Sequence, residues 1–382
     1  MERATAPKIT IKSILLTNGN WERFKAQNSN LPLCVVEEVE KMLHCRDSES
    51  GFLTYKCPEC GTTKTIPLAC KSRICPRCGK KYTDEWADEL ASSLYAVSHR
   101  HMVFTIPEEL REVLGADHGL FKVVMDAVSR TLKQLVVPRR GAVPGVICVL
   151  HPFGKDLKLN PHVHVLVTEG GLNGEGEWVP ITFFEYGSLR RIWQYQLLKA
   201  VKRRLPNSPE NSVLIDRLFR DHKEGFYVFA KRRVTSAKGI ARYVARYVRH
   251  PAIAESRISE FNRLSNTVMF WYKDEASGER KFVTFGALEF IGRLVRLIPD
   301  RNLKLIRYYG LYSRRTKGKL LKVLTPLSRE KSLILRKKEV IKCPICGQVM
   351  DLVGVTRPGY EEDDFTVLAQ NPCSPLIAQI RL

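Results

Sequence analysis

The 382-residue chain sets 62 Lys and Arg against 40 Asp and Glu, a formal net charge of +22, and such an excess favours a polyanionic partner. Hydrophobic residues make up 44%, ample for buried cores, and the length predicts two or three domains. No run of 18 apolar residues occurs and the start, MERATAPKIT, has no apolar signal core, so neither a membrane span nor export is expected.

In chain order, residues 1–33 read as a mixed helical lead-in, and residues 34–82 hold seven of the 11 cysteines. DEWADELASSLYAVSH reads as a helix, RHMVFTIP (100–107) as a strand ended by Pro107, and 108–137 as one helix by periodicity. GVICVL (145–150) is a short buried strand, joined by the loop HPFGKDLKLN to a second strand that pairs with it. Further on come a helix at 188–205, a strand at 225–234, a helix from about Ser236 to His250 stopped by Pro251, a hairpin around EASGE, and a helix in ALEFIGRLVRLIP. The order predicts an α+β fold with a mainly antiparallel sheet and helices against it.

An odd number of cysteines in a chain without an export signal points to metal rather than disulfides. Cys57-x-x-Cys60 and Cys75-x-x-Cys78 are separated by fourteen residues, the spacing of a tetrahedral Zn²⁺ site. Cys45 and Cys70, with His44 and Cys34 nearby, are candidates for a second zinc site. Cys34, within LPLCVV, reads more readily as a core residue. CPICG at 343–347 has only Cys373 downstream, so no complete quartet is expected there. Lys71, Arg73, Arg77, Lys80 and Lys81 surround the second knuckle, either as a phosphate-holding edge or as a solvated basic loop.

In LNPHVHVLVTEGG, alternation puts His162, His164, Leu166 and Thr168 on one strand face and Val163, Val165 and Val167 on the other. Two imidazoles pointing together form a bidentate metal clip or an ordinary half-buried pair. A third ligand is needed; Asp156 is preferred as a hard oxygen donor, with His101 the second candidate, although Asp156 also suits a turn cap. In TSAKGIARYVARYVRHP, Tyr243 and Tyr247 are one helical turn apart beside the stripe Ile240, Val244, Val248, with Arg242, Arg246 and Arg249 opposite. Each phenol could simply edge the core. Together with a Mg²⁺ or Mn²⁺ ion on the histidines, either could attack a phosphodiester and hold its 5′ phosphate. Tyr243 lies nearer the basic edge and is expected to cut first. RYYGLYSRR (307–315) could stack unpaired bases or form an aromatic packing seam.

ACKSRICPRC, HMVFTIPEELR, FGKDLKLNPHVHVLVTEGG, YVARYVRHPAIAESRI and EFIGRLVRLIPDRNLKLIRYYGLYS resemble the two-tyrosine HUH rolling-circle transposases of bacterial insertion sequences. The resemblance spans most of the chain. It implies an HUH/Rep-like palm (96–310) between an amino-terminal zinc-binding DNA-recognition domain (1–95) and a basic carboxy-terminal region with a CxxC knuckle (311–382). It further implies catalytic metal on His162 and His164, nucleophilic Tyr243 and Tyr247, single-stranded DNA at element ends and target DNA as partners, and a cytoplasmic, nucleoid-associated location. Asn160 stands where many relatives have a further histidine. A plasmid replication initiator or relaxase would use the same chemistry, and a zinc-dependent DNA-binding regulator would bind duplex without a covalent product.

Overall fold

A computed structural model describes residues 9–72, 74–181, 183–230, 239, 253–274, 277–316, 340–357 and 363–364. Its centre is an antiparallel sheet of β3 (His99–Thr105), β4 (Val143–Phe153), β5 (Leu159–Leu172), β6 (Trp178–Pro180), β7 (Val228–Ala230) and β11 (Ile306–Gly310). The order is β11-β4-β5-β3-β7, with β6 pairing the end of β5. β-branched residues fill β5, as a strand buried on both faces requires.

The valine face of β5 is covered by helices. Val163, Val165 and Val167 share a core with Met102 and Phe104 of β3, with α5 (Glu108–Ala116) and α6 (Gly119–Arg140), and with α7 (Tyr186–Lys202) and α8 (Pro209–Asp221). The single helix expected over 108–137 is two: Asp117 leaves helical geometry, and its Oδ1 accepts the Gly119 N–H at 2.8 Å, opening α6 separately. α6 ends where Gly141 takes φ 63° and returns its N–H to Val137.

The opposite face divides along its length. One half packs against α4 (Pro76–Ser93), whose Trp86, Ala87 and Leu90 meet Ile147, Val149, Leu166 and Tyr312. The other half carries the histidines. β11 extends the sheet at the β4 edge, so RYYGLYSRR is a packing seam. The Tyr309 hydroxyl donates to Asp126 at 2.7 Å, while Tyr312 is buried with its hydroxyl 2.6 Å from His99 Nε2.

A second core joins the chain's beginning to a later segment. Helices α1 (Ile11–Leu16), α2 (Asn20–Gln27) and α3 (Leu33–Leu43) pack on a three-stranded sheet of β8 (Ile258–Asn262), β9 (Thr267–Lys273) and β10 (Arg280–Gly286) and on α9 (Ala287–Val295). Leu157, in the loop between β4 and β5, is buried in this core and ties it to the central sheet. The smallest layer pairs β1 (Phe52–Lys56) with β2 (Thr63–Pro67) and with β12 (Asp351–Thr356), and β13 (Asp363–Asp364) adds to β12. Residues from the two ends of the chain thus share one sheet.

Candidate metal centre and zinc module

The alternation expected of the histidine strand holds. Partners directly opposite one another in an antiparallel ladder share a face. His162 faces Thr105 and His151, and His164 faces Val103 and Val149. His151, His162 and His164 each offer a ring nitrogen, all within 4.8 Å of one another. The loop predicted to start at residue 151 starts later, because β4 continues to Phe153 and carries His151 into the ladder. Extending the expected hairpin by one register step would have found it.

The closest pair is His151 Nδ1 and His162 Nε2, at 3.1 Å. Ligands in adjacent octahedral positions at about 2.1 Å from a cation lie about 3 Å apart, so this spacing fits a shared ion. Orientation favours it too. His162 Nδ1 is 2.6 Å from the Asn160 carbonyl, so it carries the proton and leaves the Nε2 lone pair aimed at His151. Asn160, the departure from the resembling pattern, therefore acts through its backbone. His164 is 4% exposed, and one of its nitrogens, Nδ1, is 3.0 Å from Nε2 of His101, whose ring stacks on it at 13°. His101 lies behind the cluster and holds His164 in place.

Asp156 does not join the three imidazoles. Its Oδ1 accepts the Lys158 N–H at 3.2 Å and its Oδ2 lies 3.7 Å from Lys158 Nζ, so it caps the hairpin turn. Geometry brings His151 rather than Asp156 to the pair: a residue in the turn is carried past the ladder, while His151 stands directly opposite His162. Tyr243 and Tyr247, and the helix expected to carry them, lie outside the described residues.

Farther down this face burial pushes His99 down to about 4 and the Tyr312 phenol above its ordinary range; on the opposite, helix-covered face burial likewise raises the Tyr309 phenol. Phenols held neutral and hydrogen-bonded inside the sheet are poor nucleophiles, which sets this pair apart from the chemistry.

The cysteines regroup. Cys75 and Cys78 converge with Cys45 and Cys70, and Cys57 and Cys60 converge with Cys343 and Cys346. The expected quartet of Cys57, Cys60, Cys75 and Cys78 does not form, and Cys45 and Cys70 complete the second knuckle instead of building a site of their own. In the first group Sγ–Sγ distances are 3.7 Å for Cys45–Cys78, 3.6 Å for Cys70–Cys78 and 3.6 Å for Cys45–Cys75. Tetrahedral Zn²⁺ with 2.3 Å bonds sets its sulfurs about 3.8 Å apart, so the donors fit that ion. Pro76 opens α4 directly after Cys75. One helix thus carries two thiols at its start and the sheet contacts in its body. Lys71, Arg77, Lys80 and Lys81 are exposed around it, and Arg73 lies outside the described residues. Cys34 packs at the edge of the helical core, apart from both groups.

No solved structure matches this fold. Over 336 residues the chain is 28% identical to the transposase for insertion sequence element IS801 of Pseudomonas savastanoi pv. phaseolicola, covering 84% of this chain and 80% of that one. It is 27% identical over 313 residues to "Putative transposase y4qJ" of Sinorhizobium fredii, covering 77% and 78%. The family profile described as "Putative transposase" matches residues 145–319, from β4 through β11, and the profile described as "Transposase zinc-binding domain" matches residues 16–106. With both domains in family order and similarity to the IS801 enzyme along most of its length, the chain belongs to the IS91/IS801-type transposases.

Proposed function

We propose that this transposase nicks and rejoins single-stranded DNA at the ends of its element through 5′-phosphotyrosine intermediates, in a rolling-circle type of transposition. The observation that carries the reading is the convergence of His151, His162 and His164 on adjacent strands of the palm. These three side chains would hold the catalytic cation, with Asn160 fixing the His162 tautomer and His101 positioning His164. A bound divalent cation would neutralise the scissile phosphate and polarise phosphorus for attack.

Tyr243 and Tyr247 are the nucleophiles in this reading. A phenolic oxygen forms a bond to phosphorus as the bond from phosphorus to the 3′ oxygen breaks. The phenol gives up its proton, and the departing oxygen takes one up as a free 3′ hydroxyl. Attack by a 3′ hydroxyl on the phosphotyrosine reverses these bond changes, so rejoining needs no ATP. Two tyrosines let one hold a cleaved end while the other attacks a second junction. The +22 charge and the basic residues at the start of α4 suit the phosphate backbone.

The test incubates purified protein with labelled single-stranded end DNA and Mn²⁺, followed by denaturing gels. A covalent adduct is expected, and it disappears in the double variant Tyr243→Phe/Tyr247→Phe and in His162→Ala. Tyr243→Phe alone blocks the first nick, whereas Tyr247→Phe alone leaves it; equal initial nicking by both contradicts the assignment of Tyr243 to the first step. Duplex binding with no adduct under any cation identifies a regulator instead.

A further inference from the structure

We propose that Cys57, Cys60, Cys343 and Cys346 hold a second Zn²⁺, and that this ion clasps the carboxy-terminal segment onto the amino-terminal zinc module. The four thiols lie within 4.8 Å of one another, although the two knuckles are far apart in sequence. Sγ–Sγ distances are 3.4 Å for Cys57–Cys346, 3.5 Å for Cys60–Cys343 and 3.7 Å for Cys60–Cys346, close to the edge of a zinc–thiolate tetrahedron. The segment matched by the zinc-binding family profile, residues 16–106, contains only half of this donor set.

The two knuckles are built alike. CPECG and CPICG each turn on a glycine at positive φ, Gly61 at 72° and Gly347 at 74°. In each, the glycine N–H returns to the first cysteine's carbonyl at 3.0 Å, and that cysteine's N–H donates to the residue after the glycine at 2.8 Å. In each, the first cysteine is buried and the second exposed. The two halves therefore face each other as near-copies across a common centre. The third knuckle, CPRCG, differs: its glycine lies inside α4, and it belongs to the other quartet.

Energetics point to an ion as well. The layer consists of two short stretches, 51–68 and 340–357, around a small core of Leu53, Tyr55, Met350 and Val355 with the buried cysteines. A unit below about 40 residues seldom folds on apolar burial alone and commonly relies on metal or disulfides. The β1–β12 ladder, Phe52 to Lys56 against Thr356 to Asp351, supplies register but little buried surface. Zinc–thiolate bonds would supply the remaining stability and join the ends of the chain around the intervening palm.

Elemental analysis of the full-length chain, purified without chelator, should give two zinc ions per molecule. Cys346→Ser should give one, and the double variant Cys60→Ser/Cys346→Ser should also give one, since both residues serve the same ion. One zinc in the unmodified chain, or two retained in Cys346→Ser, overturns the proposal. A second measurement needs no variant. After gentle zinc removal and mild oxidation, peptides bearing Cys57 or Cys60 should be recovered disulfide-linked to peptides bearing Cys343 or Cys346. Predominant linkage to Cys75 and Cys78 overturns the pairing. Neither readout involves DNA cleavage, so the clasp stands or falls separately from the proposed nuclease chemistry.

Discussion

His151 and Asp156 flank the same hairpin turn, and their surroundings assign them opposite roles. His151 faces His162 with nitrogens 3.1 Å apart, whereas Asp156 spends its carboxylate on the Lys158 N–H. His151→Ala should therefore lower single-strand nicking by about 100-fold or more and weaken Mn²⁺ binding in parallel. Asp156→Ala should leave nicking within about threefold and cost at most about 1 kcal/mol of stability, the net worth of one hydrogen bond. Three imidazoles are also softer donors than a set containing a carboxylate, so nicking should saturate at lower Mn²⁺ than Mg²⁺ concentration. Nicking assays with cation titrations check both points. A dead Asp156→Ala beside an active His151→Ala would return the third ligand to the carboxylate. Alternation alone places His162 and His164 on one face. It does not reach His151, because HPFGKDLKLN reads as a loop and the register step that brings residue 151 opposite His162 lies outside any local window, while carboxylates rank first on hardness when no geometry is available.

At the scale of elements, the sequence signal was strong where periodicity was local. β5, its pairing with β4, the β9–β10 hairpin and α9 all follow from alternation, turn residues or a helical stripe. It failed where the deciding contact was distant or lay in one side chain. Asp117 splits α5 from α6 through a single capping bond. β11 hides in a basic aromatic tail because only pairing with β4, remote in sequence, makes it a strand. Gly310 marks the end of that pairing, with φ 56°, and a Cβ there would collide with the Pro144 carbonyl. Gly310→Ala thus combines left-handed strain with a clash against backbone that cannot move without opening the β4 edge. It should destabilise the palm by about 2 kcal/mol or more and loosen Tyr309 from Asp126. Thermal unfolding with hydrogen exchange at β11 measures this; an unchanged midpoint and unchanged protection of β11 would show that the edge strand contributes little.

The whole molecule adds what no local window contains. Three CPxCG knuckles are visible in the sequence, but spacing pairs the two near neighbours, while the fold pairs one of them with a partner hundreds of residues away. Net charge, by contrast, is a global property that the sequence states outright, and it sets a global expectation. Several acidic groups are already engaged, as in Arg301–Glu37, Arg296–Glu112 and Arg100–Glu169, which leaves the +22 excess to act at the surface. Cations that touch phosphates release counterions from single-stranded DNA with a slope of about −0.7 per contact in log affinity against log salt. Six such contacts give a slope near −4, so affinity for single-stranded end DNA should fall by at least about 100-fold between 50 and 200 mM NaCl. Arg77 and Lys80 are exposed at the start of α4, on the rigid helix that carries Cys78. If that helix end holds the backbone, Arg77→Ala/Lys80→Ala should make the slope shallower by about 1.4 while leaving sequence preference intact. Fluorescence anisotropy across a salt series measures both quantities. A shallow slope in the unmodified chain would mean that its charge serves something other than the DNA backbone, and an unchanged slope in the variant would move the footprint away from the zinc module.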